Sequence, residues 1–379
     1  MTWILIAVVA IIILVAVATV GLAVLLARRV VMPRAAKLTT IRGVDLDAGT
    51  ITLEADRKTS HAGKFGLWTD GDGHALVGDV VRQDEADGSV TRQLLEIDGE
   101  GLSQAAQGRW TGHVLRSPAV LGRNDREVLI PVDGGTAPAW LIEPEGTPST
   151  TWAIHIHGVR TTRITALRTV PAADQLGMTS LVVSFRSDTE GPDVANGASM
   201  LGTTEWPDVD AAITYALEQG AERVILFAWS MGASIALLLT ERSQHRAAIT
   251  GLVLVAPSTD WRAVIRHGAR KAHLPRFLAS AAAAALGGRL SSRIVGLPSP
   301  IDLDALDWTR STRLQKPTLV IHSDGDTEIP VSLSRAFAAA NPRQVTLVEI
   351  NGAEHAWEYN LNPELFNSTI TGWVHSTTR

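Results

Sequence analysis

The hydrophobic pattern of the chain changes twice along its length, marking three regions. From Trp3 to Ala27 nearly every position is apolar, interrupted only by the uncharged Thr19 and Gly21. A helix rising ~1.5 Å per residue crosses a ~30 Å hydrocarbon layer in about 20 residues, so this run predicts a transmembrane helix with some tilt. A cleaved signal peptide is the rival reading, because Ala16-Val17-Ala18 offers small-x-small spacing. The apolar run continues well past that point, and its start lacks the basic stretch of a signal peptide. Residues 1–29 therefore read as an uncleaved single-pass anchor in a lipid bilayer. Arg28, Arg29, Arg34 and Lys37 follow the run, whereas only the α-amino group precedes it. Basic flanks stay on the cytoplasmic side, which predicts that the bulk of the chain faces the cytoplasm.

Residues 38–126 alternate short β-prone pieces with Gly/Asp turns. Val44–Leu53 reads as a hairpin turning near Ala48-Gly49, and Asp70-Gly71-Asp72-Gly73 and Asp87-Gly88 read as further turns. Such Asp/Gly turns could suggest a calcium loop, but the EF-hand spacing and its flanking helices are absent. Trp68, His74, Trp110 and His113 fall among these strands. The histidines have no second ligand at metal spacing and read as structural. The region predicts a small β-rich module. A following hairpin, Glu127–Pro131 and Ala139–Ile142 around Asp133-Gly134-Gly135, is placed to open the sheet of a second domain, residues 127–379.

Beyond Thr150 short apolar runs alternate with helix-period segments. Predicted strands are Trp152–Ile156, Thr179–Phe185, Val224–Ala228, Gly251–Ala256, Thr318–Ile321 and Val345–Ile350. Predicted helices include Thr165–Leu176, Pro207–Gln219, Ala233–Arg242 and Leu278–Leu286. Buried strands separated by helices predict an α/β fold: a mostly parallel sheet covered on both faces. Ligands then bind outside the carboxyl ends of the strands. Residues 258–314 exceed what a strand–helix–strand unit needs. They read as a small helical cap over the site, or equally as a surface helix pair packed on the sheet.

The formal net charge of −5 shows no basic stripe beyond the anchor-proximal cluster, so nucleic acid is not expected as a partner. The chain has no cysteine, which excludes disulfides, cysteine-ligated zinc and thiol nucleophiles. No metal or organic cofactor is implied. Only five basic residues are lysine (Lys37, Lys58, Lys64, Lys271, Lys316), a bias that with abundant Ala and Val suggests a GC-rich bacterial genome.

Candidate chemistry falls at the predicted strand ends. Val224–Ala233 reads as strand, sharp turn and helix, with Ser230 in the turn and small residues Ala228 and Gly232 on either side. A serine there projects its hydroxyl from the sheet, and the flanking small residues let strand and helix pass closely. Ser also favours a helix N-cap, but capping does not account for the small neighbours. A serine hydroxyl needs a general base, and the base needs an orienting carboxylate. With such an elbow the acid and then the histidine follow in chain order. Asp326 lies in an acidic turn after one strand, and His355 follows the next. Asp326 is preferred as the acid over Asp324, expected to shape its own turn, and over Asp260. His355 is preferred as the base over His322, His155 and His157, which sit in or at the ends of strands. Two backbone N–H groups should form the oxyanion hole, those of Met231 and of Val159 in the turn His157-Gly158-Val159-Arg160. Arg160, Arg163 and Arg186 could hold a substrate carboxylate or pair with Asp188 or Glu190.

These residues resemble the α/β-hydrolase superfamily from about Glu127 onward. The resemblance is closest to its bacterial prolyl-oligopeptidase-like and esterase-like serine hydrolases. It rests on His157-Gly158, Ala228-Trp229-Ser230-Met231-Gly232, Asp326 with Pro330, and His355. The chain also resembles a bacterial family of uncharacterised membrane-anchored hydrolases, whose similarity extends into the β-rich segment. Its members often carry glycine where this chain has Ala228, Ala233 and Arg160. The resemblance implies an α/β-hydrolase fold and cleavage of a small-molecule or peptide acyl substrate through an acyl-enzyme. An ester is the expected bond, ahead of an amide. Two other readings stay open: a weakly active or inactive membrane interaction protein, and an acyltransferase.

Overall fold

The computed structural model describes residues 2–69, 73–310 and 312–377. The turn expected at Asp70-Gly71-Asp72-Gly73 lies, up to residue 72, outside them. Among the described residues the chain forms one long N-terminal helix, a closed six-stranded barrel and an eight-stranded sheet flanked by helices.

The first helix, α1 (Thr2–Val31), is the only described helix long and apolar enough to cross a membrane. Its residues 2–22 are exposed apart from the half-buried Thr19. From there Ala23, Ala27 and Val31 recur every four residues and are buried. That spacing puts them on one helix face. They join the main core, packed against helices that follow the fourth strand of the central parallel run.

The barrel comprises β1 (Thr39–Asp45), β2 (Thr50–Glu54), β3 (Phe65–Trp68), β4 (His74–Asp84), β5 (Ser89–Asp98) and β6 (Gln107–Thr111). All its pairings are antiparallel, in the order β1-β2-β5-β4-β3-β6, with β6 returning to β1. Asp45 pairs with Thr50 across the first hairpin turn. Period-two alternation turns Ile51, Leu53, Phe65, Leu67, Ala75 and Val77 inward. Arg92 is the exception, a fully buried cation within β5. Its guanidinium donates to the carbonyls of Gly78, Thr59, His61 and Gly63 at 2.6–2.9 Å. It also stands 5.4 and 5.3 Å from the Phe65 and Trp110 rings. A buried charge is tolerable only when its donors are satisfied in this way.

The large sheet begins with the antiparallel hairpin β7 (Asp125–Val132) and β8 (Gly135–Ile142). It continues through β9 (Thr151–Ile156), β10 (Ser180–Val183), β11 (Arg223–Trp229), β12 (Ile249–Val255), β13 (Thr318–Ser323) and β14 (Val345–Ile350). The order is β14-β13-β12-β11-β9-β10-β8-β7, with every pair from β10 to β14 parallel. Alternate residues of the central strands enter separate cores on the two faces, Leu226 and Leu254 on one, Phe227 and Val253 on the other. This explains why the strands are apolar throughout.

One face is covered by α2 (Val170–Gln175) and α10 (Pro363–Thr377), the other by α3 (Trp206–Glu218), α4 (Gly232–Arg242) and α8 (Ser332–Ala340). The helix expected over 165–176 is not continuous. Residues Arg163–Thr169 form 3-10 turns, and the α-helix starts only at Val170. Pro171 has no N–H to donate back to Leu167, so it fits only the first turn of a helix. Between β12 and β13 lie α5 (Trp261–Lys271), α6 (Arg276–Gly287) and α7 (Arg289–Val295). The last turns of α1 pack on α6 and α7, and Arg28 donates to the last carbonyl of α7, Val295, at 2.6 Å. The short α9 (Glu358–Leu361) follows the loop after β14.

Candidate active site

Ser230 stands between β11 and α4 with φ +53, in the left-handed region that non-glycine residues seldom occupy. The strain is sustained by close packing around it. A Cβ on Gly232 would lie 2.6 Å from the His157 carbonyl oxygen and 2.7 Å from that of Ile156. Strand β9 therefore passes too close to α4 for any side chain at 232. Gly158 likewise faces Ser230, with a Cβ there only 3.2 Å from the serine Cβ. Ala228 is fully buried, and its methyl group fits. Arg160 adopts φ +60, a position for which glycine is better suited.

The three side chains singled out from the sequence meet at one point. His355 Nε2 lies 2.9 Å from Ser230 Oγ, and His355 Nδ1 lies 2.7 Å from Asp326 Oδ2. A carboxylate only accepts, so Nδ1 carries the proton and Nε2 can accept from the serine hydroxyl. Asp326 is saturated. Its Oδ1 accepts from the backbone N–H of Glu328 and Ile329 at 2.8 Å each, and its Oδ2 takes both His355 and His322. Burial alone would raise the Asp326 pKa, but the charge of His355 and the bonds from both histidines hold it well below the carboxylate range. Burial alone would lower His355, but Asp326 beside it pushes the imidazole up to about 9.

His322, passed over as the base because it sits at a strand end, is fully buried. Its Nε2 donates to Asp326 Oδ2 at 3.0 Å while its Nδ1 accepts from Ser334 Oγ at 2.7 Å. Its contact with the acid was not foreseen; the four-residue spacing from His322 to Asp326 around a turn was the available signal. Asp324 departs from expectation. It does not bond its own turn but accepts from Gly352 N–H at 2.8 Å, tying the loop after β13 to the loop that carries His355. The turn-shaping carboxylate is instead Asp326. Asp260 caps α5 through Ala263 N–H and faces Arg266. His155 is buried between Thr169 and Ser180. His157 bonds Asp188 at 2.9 Å, so Asp188 has no arginine partner of the expected kind. Arg163 pairs with Glu127 and Glu190, and Arg186 with Asp208. The backbone N–H groups of Val159 and Met231 have no acceptor among the described residues, and Val159 lines the cavity in front of Ser230.

The barrel supports the His355 loop. Trp357 enters the barrel core, its ring centre 4.4 Å from that of Phe65. Asn360 donates to the carbonyls of Lys64 and Gly112, Arg57 pairs with Glu354 at 2.5 Å, and His61 bonds the Gly352 carbonyl. From the sheet side Arg168 donates to the Ala356 carbonyl at 2.6 Å and lies 4.0 Å from the Trp229 ring. Behind the site the fully buried Glu358 accepts from Ser323 N–H, and burial raises its pKa to about 7. None of these supports carries a local sequence signal.

Two cavities flank Ser230 and His355. One, of about 380 Å³, lies between α5 and the end of α1; the other, of about 370 Å³, lies toward the barrel. Among the described residues no cluster of His, Asp or Glu is arranged to hold a metal ion.

Comparison with solved structures places the fold. Two crystal forms of the esterase Pf2001 from Pyrococcus furiosus superpose with TM-scores of 0.51 and 0.52, at 20 % identity. They cover 69 % of this chain and 96 % and 95 % of theirs. The esterase domain of a Rhodothermus marinus protein aligns at 16 % identity and TM-score 0.48, covering 68 % of this chain and all of that domain. No curated protein sequence matches the chain. Residues 40–111, most of the barrel, match a domain of unknown function, DUF8805. Residues 134–369 match the alpha/beta hydrolase family, and with that match over most of its length the chain belongs to this family.

Proposed function

We propose that the protein is a membrane-anchored serine hydrolase that cleaves an ester through Ser230, His355 and Asp326. The continuous hydrogen-bonded line Ser230–His355–Asp326 is the observation that supports this most strongly. Ser230 Oγ attacks the acyl carbon as its proton passes to His355 Nε2. The carbonyl oxygen becomes an oxyanion facing the unpartnered N–H groups of Met231 and Val159. Collapse breaks the bond to the alcohol, which leaves with the proton from His355. Water then attacks the acyl-serine and gives a proton to the same nitrogen. The acid departs as that proton returns to Ser230. Asp326 keeps His355 in the right tautomer and stabilises the imidazolium throughout.

Ester cleavage is favoured over amide cleavage because an alcohol leaves more readily than an amine. Residues 2–22 of α1 rise about 31 Å at 1.5 Å per residue, matching the hydrocarbon layer. The basic residues after them orient the hydrolase domain to the cytoplasm. The full chain in detergent should hydrolyse 4-nitrophenyl butyrate, and Ser230→Ala should lower kcat by a factor on the order of 10⁶. Undiminished turnover in a folded Ser230→Ala protein would remove the nucleophile assignment.

A further inference from the structure

The anchor helix is itself a wall of the cavity in front of Ser230. Leu26, Arg29 and Val30 of α1 line that cavity opposite Trp261, Val264 and Ile265 of α5 and its approach. Their depth follows from the helix rise. If the hydrocarbon layer ends near residue 22, Leu26 lies ~6 Å and Arg29 ~10 Å beyond it. The headgroup region on each side of a bilayer is about 5–8 Å thick. The cavity mouth thus stands at, or just outside, the lipid headgroups. The helices packed on α1 carry exposed Phe277, Leu290 and Ile294, continuing the apolar surface of the anchor.

The polar side of the same cavity is cationic. Arg29, Arg34 and Arg160 line it, and Arg34 and Arg160 also line the second cavity, so they stand where the two meet beside Ser230. Among the described residues none of the three has a carboxylate within ion-pair distance. The guanidinium groups of Arg34 and Arg160 both donate to the Arg29 backbone carbonyl, at 3.0 Å for Arg160. Lys271 adds a fourth positive charge, held by Thr327. Glu328 is the acidic residue facing the cluster. Burial, and then the charge of a neighbouring arginine, lowers the pKa of both Arg34 and Arg160, and the charge of Glu328 only partly offsets this. Arginine forks suit phosphate and carboxylate oxygens.

We infer that the site takes an anionic amphiphile from the bilayer, an acyl ester whose phosphate or carboxylate headgroup meets Arg29, Arg34 and Arg160 while its chain lies against the anchor helix. This rests on the hydrolase function proposed above and specifies its substrate class. The apolar wall of Leu26, Val30 and Ile265 would receive the chain, and the ester would stand at Ser230 between wall and arginines.

The test uses the full chain reconstituted in phosphatidylcholine vesicles. Oleoyl lysophosphatidylglycerol, oleoyl lysophosphatidylcholine and monooleoylglycerol are compared, together with the water-soluble butyryl ester of glycerol 3-phosphate. We expect kcat/KM at least tenfold higher for the anionic lipid than for the neutral and zwitterionic ones, and higher than for the soluble ester. In Arg29→Gln/Arg34→Gln that preference should shrink at least tenfold through KM, and in Arg29→Lys/Arg34→Lys it should largely return. Equal turnover of the three lipids would overturn the inference, as would equal turnover of the soluble ester. A preference untouched by the glutamine substitutions would also overturn it. Fluorophosphonate labelling of the same vesicles separates the two levels. Labelling without anionic preference ends only the substrate inference, whereas absent labelling ends the hydrolase function on which it rests.

Discussion

Trp357→Ala probes whether the barrel positions His355, the proposed general base. Trp357 is 7 % exposed and lies two residues after His355, with its ring against Phe65 at 4.4 Å and His61 at 5.2 Å. Truncating a buried Trp to Ala costs about 3–5 kcal/mol, the spread reflecting how far the site collapses. Here the loss falls on the seam between barrel and His355 loop, since Trp357 and Ala353 are the residues of that loop inside the barrel core. His355 must hold 2.7 and 2.9 Å contacts at its two nitrogens. A shift of ~1 Å in such a constellation can cost about 10²-fold in rate. We therefore expect kcat/KM on 4-nitrophenyl butyrate to fall about 10²-fold, with a lowered unfolding midpoint. Trp357→Phe, which keeps a ring against Phe65, should recover most of the rate. A Trp357→Ala protein that is less stable yet within twofold of wild-type kcat/KM would show that the sheet alone sets the position of His355.

Asp326→Asn should lower kcat by about 10⁴-fold with little change in KM, as expected when an orienting carboxylate is lost. Asp324→Asn, which weakens only the tie to Gly352, should cost mainly stability; a selective loss of activity at Asp324 would reverse the assignment. Only neutral His355 can accept a proton, and Asp326 raises its pKa, so kcat/KM should rise with pH through a midpoint above the ordinary histidine value of about 6.5. In the residual activity of Asp326→Asn the midpoint should move to lower pH; an unmoved midpoint would show that another group controls the limb. Because the folded-state value of His355 is the higher one and that of Asp326 the lower one, the pair's stabilisation is complete between about pH 4 and about pH 6.5 and fades as pH rises through the raised histidine value, a loss Asp326→Asn should not show in thermal unfolding. Protease added to intact cells expressing the chain should leave the hydrolase domain whole, and its digestion would reverse the proposed orientation.

Features with a local pattern were legible in the sequence. Ser230 lies inside an unbroken strand–turn–helix segment, and the crowding at Gly232 that demands a small residue is the physical reason for the pattern. The antiparallel opening of the sheet was readable from alternation around Gly134-Gly135. Features made by distant partners were not. Asp324 bonds Gly352, 28 residues away, and nothing in the string Ser323-Asp324-Gly325 distinguishes that from a local turn. The closure of the barrel pairs β1 with β6 across more than sixty residues. Pro171 marks the first turn of the helix inside the segment 165–176, but the apolar period runs through it on both sides and hides that start. The docking of α1 was hidden for another reason. A uniformly apolar run has no polar face to mark by contrast which stripe packs on protein, so Ala23, Ala27 and Val31 look like their exposed apolar neighbours.

The most direct test is the site of covalent labelling. The full chain is treated with an active-site-directed fluorophosphonate, digested, and the adduct located by peptide mass. A single adduct at Ser230, lost in Ser230→Ala and strongly slowed in His355→Ala, is the expected result. A folded protein that takes no label, or takes it equally at another residue with Ser230 replaced, would contradict the assignment of Ser230 as nucleophile.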